Sequence, residues 1–228
     1  QEMADDMHEC IKLGVSVLHI HSRDEFKKPT MRVDVFRETC RLVKERDPDV
    51  IIQISTGGRA GGGHEWRMDP LNLLPEMGSY TPGSVNLGPI VYQNDAKLTK
   101  DMAVKFGELN IKPQVEVFDT NMISNAYNLV DRGLLEPPIE FGFVMGAPNA
   151  QECSLRQLGH LVSMLSPGDT WTFSAEPALS ARGPTPPTLG RPSDPPRASR
   201  SSCSPIGGFR GAPRSPIDWL FLRCRTRP

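Results

Sequence analysis

Several common signatures are missing from this 228-residue chain. No apolar run approaches the roughly 20 residues that a membrane-spanning helix needs, so no membrane partner is expected. The five cysteines (Cys10, Cys40, Cys153, Cys203, Cys224) form no CxxC pair and follow no regular spacing. That argues against a disulfide framework and for reduced thiols in a cytoplasmic protein. The acidic opening, QEMADDMHEC, has no apolar signal-peptide core. No GxGxxG follows a candidate strand, so a dinucleotide-binding sheet has no support. The loop GGRAGGGHEW is rich in glycine but lacks the GK[ST] of a phosphate-binding loop, and its HEW is not HExxH. A net charge of −1 gives no bulk attraction to nucleic acid.

Lysine is absent from residues 175–228, which hold nine arginines, three acids and 11 of the 22 prolines. No helix or strand period survives that proline density. The segment is expected to be a disordered tail or one translated out of frame. The second reading is preferred, because Arg, Pro, Ser and Gly without Lys is what a GC-rich gene yields in the wrong frame. The arginines fall short of a nucleic-acid signature, leaving an acidic partner as the alternative use of the tail.

What is present, over residues 1–174, is a repeated alternation. Helices are predicted at 2–13, 33–47, 69–77, 95–110, 121–133 and 150–165, and strands at 15–21, 50–55, 83–88, 112–118, 139–145 and 170–174. Strands separated by helices run parallel and need both faces covered. Polar residues gather at several strand ends: His19 and His21, Ser55, Asn86 and Glu116. Catalytic groups drawn from many strand ends are the habit of a TIM (β/α)8-type barrel. The expected fold is therefore α/β, an incomplete barrel of about six strands over 1–174, followed by the tail.

The stretch LGVSVLHIHSRD places two imidazoles two residues apart on a strand, where they share one side. Together they can offer two nitrogens to one divalent ion. The competing reading is a hydrogen-bonded pair of core histidines. Glu116 lies between Val115 and Val117 with opposite parity, which makes it an inward carboxylate for acid–base work, substrate orientation or a third metal bond; a salt-bridged interior residue is its bland alternative. IQISTGG ends a strand on Ser55, Thr56, Gly57 and Gly58. Such a turn can hold a carboxylate with backbone N–H groups and a hydroxyl, or be an ordinary glycine turn. Ser79 and Asn86 add hydroxyl and amide groups near the next strand.

GVSVLHIHSRD, IIQISTGG, PEMGSYTPGSVNLG, KPQVEVFD and PIEFGFVMGAPN, in this order, resemble the β-keto acid cleavage enzymes, typified by the cleavage of 3-keto-5-aminohexanoate in lysine fermentation. The resemblance covers about residues 1–174. It implies a usually oligomeric TIM barrel with one zinc-type ion, and an exchange with acetyl-CoA that gives acetoacetate and a new CoA thioester. By position it implies that His19 and His21 bind metal, and that Ser55 and Ser79 bind the keto acid. It also implies that Gly57 and Gly58 flank the substrate carboxylate and that Glu116 is the active-site glutamate. The family's RVGxED segment, which brings a third metal ligand, is not found, nor is its first strand. An inactive remnant or binding protein is therefore the first alternative. A metal-dependent amidohydrolase is the second, weakened because no later strand carries histidine.

Overall fold

The computed structural model describes residues 2–57 and 63–175. Gly58 and the tail from residue 176 lie outside the described residues. Six strands form one parallel sheet: β1 (Val17–Ile20), β2 (Ile51–Ile54), β3 (Met77–Tyr80), β6 (Lys112–Val117), β7 (Glu140–Met145) and β8 (Thr170–Ala175), hydrogen-bonded in that order. Between β3 and β6 the chain detours through an antiparallel hairpin, β4 (Val85–Leu87) with β5 (Ile90–Tyr92).

The helices are α1 (Glu2–Lys12), α2 (Val33–Lys44), α3 (His64–Met68), α4 (Ala96–Glu108), α5 (Asn121–Asp131) and α6 (Leu155–Ser163). Caps mark two starts: the side chains of Asp95 and Ser154 accept from the backbone N–H of Leu98 and Gln157, satisfying donors the first turn leaves open. Apolar residues on α1 and α2, including Met7 and Phe36, pack with Leu18, Ile20, Ile52 and Ile54. A larger cluster joins α4 and α5 to the outward residues of β6 and β7, among them Phe106, Ile123, Val115 and Phe141. The two clusters cover one face of the sheet and leave the opposite parity, His19, Gln53, Ser79, Gln114 and Glu116, for the inner face.

That inner face is concave. Gln53 on β2 donates from Nε2 to Gln114 Oε1 on β6 at 2.9 Å, across the intervening β3. Adjacent strands are about 4.8 Å apart, so this contact needs both side chains to converge over the strand between them. The sheet is thus a curled part of a barrel, as expected for a (β/α)8-type fold. On its last strand, Trp171 and Phe173 are 40% and 52% exposed on the outer face. No helix among the described residues is long and apolar enough to cross a membrane.

One strand departs from the sequence reading. The third barrel strand is 77–80, at the end of the predicted helix 69–77, of which only a 3-10 turn at Asp69–Leu73 forms. The segment 83–88 instead folds into the hairpin. Gly78 accounts for the choice. A Cβ there would lie 2.7 Å from Phe106 Cε1 and 3.0 Å from Leu71 Cδ2, so only a glycine strand fits beneath α4 and the 3-10 turn.

Candidate functional site

β1 ends with both histidines on the inner side. His19 is buried and His21 half-buried, with their Nε2 atoms 3.0 Å apart and their ring planes tilted by 56°. His19 Nδ1 lies 3.0 Å from Gln53 Oε1 on the paired strand. Burial holds the His19 imidazole below its ordinary pKa, opposed by the nearby Glu116 carboxylate and by the bond to Gln53. His19 is therefore neutral at pH 7, the state in which an imidazole nitrogen can bind a metal.

The donor set suits a zinc-type ion in part. Two nitrogens each roughly 2.0–2.1 Å from a tetrahedral zinc stand about 3.3–3.4 Å apart, a few tenths of an ångström more than the observed 3.0 Å. The same distance also serves an N–H···N hydrogen bond. Among the described residues no group of three His, Cys, Asp or Glu side chains could hold a metal. The other histidines are elsewhere: His8 on α1 contacts Asp47 at 2.7 Å, His64 on α3 contacts Asp95 at 3.2 Å, and His160 is on α6.

The turn after β2 sits against this pair. Ser55 is buried, and its Oγ accepts from Gly57 N–H at 3.1 Å. A Cβ on Gly57 would lie a tight 3.1 Å from Ser55 Oγ and, at ordinary contact distance, 3.7 Å from His21 Cε1 and 3.9 Å from the Tyr92 hydroxyl, so the turn lies against the imidazole. Ser79, at the end of β3, accepts from Thr56 N–H through Oγ at 3.0 Å, while its carbonyl accepts from the Thr56 hydroxyl at 2.8 Å. Glu116 on β6 is buried, and its Oε2 accepts from the Thr81 hydroxyl at 3.0 Å.

His19, His21, Ser55, Gly57, Ser79 and Glu116 are thus brought to one end of the inner face. Asn86 is not. It is exposed on β4, paired with Val91 of the hairpin, so its expected place at a barrel-strand end is corrected.

Three further residues escaped the sequence reading. Gln53 and Gln114 are inward amides, two residues before Ser55 and Glu116; the same parity rule that selected the latter would have found them. Arg67 on α3 had no such signal. It is buried, and its guanidinium donates to the carbonyls of Thr56 and Gln93 and to Asn94 Oδ1, each at 2.8 Å, and to the Tyr92 hydroxyl at 3.1 Å. It ties the Ser55–Gly57 turn to the hairpin.

Fold and site together define a parallel α/β barrel segment with paired histidines at a strand end. Comparison with known proteins narrows the class. The sequence profile of the beta-keto acid cleavage enzymes matches residues 1–178, and the chain belongs to that family. It is 34% identical over 175 residues to the 3-keto-5-aminohexanoate cleavage enzyme of Fusobacterium nucleatum, covering 76% of this chain and 64% of that protein. It is 33% identical over 174 residues to the 3-oxoadipate:acetyl-CoA acetyltransferase of Cupriavidus necator, covering 75% and 61%. The chain therefore spans less than two thirds of either relative. Among solved structures, the ternary complex of ObcA with a C4-CoA adduct and oxalate superposes with a TM-score of 0.56 at 23% identity, over 64% of this chain and 36% of that one. That likeness concerns the fold.

Proposed function

We propose that the described segment carries the histidine side of a β-keto acid cleavage site, exchanging a β-keto acid with acetyl-CoA to give acetoacetate and a new CoA thioester. The observation that carries this reading is the His19–His21 pair, with Nε2 atoms 3.0 Å apart beside the Ser55–Gly57 turn. The names of the two curated relatives support the reaction class. His19 and His21 would hold a zinc-type ion. When bound, such an ion supplies Lewis-acid polarisation of a ketone.

The chain's own residues do the rest. Ser55, whose oxygen already accepts from Gly57 N–H, keeps its hydroxyl proton for a substrate oxygen. Gly57 lies beside His21, and Gly58 follows it in sequence as the second glycine for the keto-acid carboxylate. Ser79 acts through Thr56, holding the turn in place. Glu116 has one oxygen fixed by Thr81 and uses the other to orient or take up a substrate proton. Assembly into a homo-oligomer belongs to the same reading.

The test uses the 228-residue chain. It is loaded with zinc, its metal content is measured, and it is incubated with acetyl-CoA and 3-oxoadipate or 3-keto-5-aminohexanoate. Acetoacetate formed together with a new thioester supports the proposal. A zinc-loaded chain that forms none refutes turnover. That outcome favours the second reading, a keto-acid-binding remnant.

A further inference from the structure

Four side chains on four strands form one hydrogen-bonded file across the inner face. His19 Nδ1 lies 3.0 Å from Gln53 Oε1, Gln53 Nε2 lies 2.9 Å from Gln114 Oε1, and Gln114 Nε2 lies 3.2 Å from Glu140 Oε1. The file ends on β7, where Gly142 leaves room for the Gln114 amide; a Cβ there would sit 3.1 Å from Gln114 Oε1. We propose that Glu140, acting through Gln114 and Gln53, dictates which nitrogen of His19 carries the proton.

The direction of the file follows from donor and acceptor types. An amide can be turned over with little change in shape, so packing does not choose its orientation. A carboxylate can only accept. Glu140 therefore requires Nε2 of Gln114, which leaves Oε1 of Gln114 to accept from Gln53. Oε1 of Gln53 must then accept from His19 Nδ1–H. Reversal would set an amide oxygen against the carboxylate, leaving two acceptors facing each other without a proton. Neutral imidazole can carry its proton on either nitrogen, so it takes the form the file imposes. His19 Nε2 is thereby a lone pair aimed at His21. In the metal-free protein His21 donates across the 3.0 Å contact; to bind a cation through Nε2 it shifts that proton to its own Nδ1 and stays neutral, while His19 needs no such shift. Glu140, Gln114 and Gln53 are positioning residues. Only the metal arm of the test rests on the proposed function.

The experiment is histidine 15N NMR on the metal-free, full-length chain at pH 7.5, with His19 assigned by its loss in His19→Asn. The expected spectrum shows His19 protonated at Nδ1 alone. Glu140→Lys puts a donor at the far end, turns both amides and moves the proton to Nε2. Glu140→Gln, nearly isosteric, removes the anchor and populates both forms. An Nε2–H form in the wild type overturns the proposal, as does an unchanged single Nδ1–H form in Glu140→Gln, which remains decisive if the lysine variant does not fold. In parallel, zinc affinity is measured by chelator competition. Gln53→Met is expected to weaken it about 10- to 100-fold. Equal affinity in Gln53→Met overturns the positioning role. A wild-type chain that binds no zinc refutes the metal-ligand reading, while the NMR result still judges the file.

Discussion

Arg67→Met removes a guanidinium but keeps much of its apolar stem. The loss strands two buried acceptors, the carbonyl of Thr56 and Oδ1 of Asn94, leaves the part-buried carbonyl of Gln93 without its guanidinium, and deprives the Tyr92 hydroxyl of a donor. A buried acceptor left unsatisfied costs about 1–3 kcal/mol, so two give about 2–6 kcal/mol, to which the Gln93 carbonyl and the Tyr92 hydroxyl add less. The lower half of that range is expected, for two reasons. The Asn94 amide can turn, and water can enter the vacated space beside the loop. An expected cost of about 3–4 kcal/mol is a large share of the roughly 5–15 kcal/mol that stabilises a domain, yet it leaves the chain folded. With a urea slope of about 2 kcal/mol per molar, the unfolding midpoint falls by about 1.5–2 M. Urea titration followed by tryptophan fluorescence reads the change, since Trp66 is the neighbouring residue. Arg67→Lys should recover less than half, because one ammonium cannot span the four positions of a planar fork. A midpoint lowered by less than about 0.5 M, near 1 kcal/mol on the same slope, would refute the view that Arg67 clamps the turn to the hairpin.

Other perturbations test other parts of the structure. Gly78→Ala pushes a methyl to 2.7 Å from Phe106 Cε1; overpacking of this kind costs about 1–3 kcal/mol. Combining it with Phe106→Leu should return part of that loss in a double-mutant cycle, and strict additivity would contradict the contact. Burial lowers the His19 pKa, so below about pH 6.5 the unfolded chain takes a proton that the folded metal-free chain resists. Its stability should therefore be flat above that pH and fall as the solution is acidified, by at most about 1.4 kcal/mol per pH unit from this group. His19→Asn should lessen the slope, and an unchanged slope would contradict the burial argument. Burial also raises the Cys40 thiol to about 11, whereas Cys153 is exposed. Iodoacetamide at pH 8 should label Cys153 well before Cys40, as read by peptide mass mapping, because the thiolate is the nucleophile. Equal rates would count against the packing of α2.

The sequence by itself determined what depends on local period. Alternation of two along VSVLHIH put His19 and His21 on one side, and the same rule turned Glu116 away from Val115 and Val117. Helix faces followed from spacing, as with Phe36 and Val43 on α2. The parallel order followed from helices standing between strands, which need long crossover connections. Membership of the family was legible in the ordered motifs.

Tertiary structure decided which short segment became the third barrel strand. GSVNLG reads as a strand and is one, but its hydrogen bonds go to Ile90–Tyr92. MGSY has weak strand propensity, yet it enters the sheet because its glycine admits Phe106 and Leu71. The contacts that complete the site are also nonlocal. Gln53 meets Gln114 from 61 positions away, and Arg67 reaches Asn94 across 27. No period along the chain encodes such meetings. They exist because a curling sheet brings inward side chains together over the strand between them, and because a buried guanidinium must find its acceptors wherever the folded backbone supplies them.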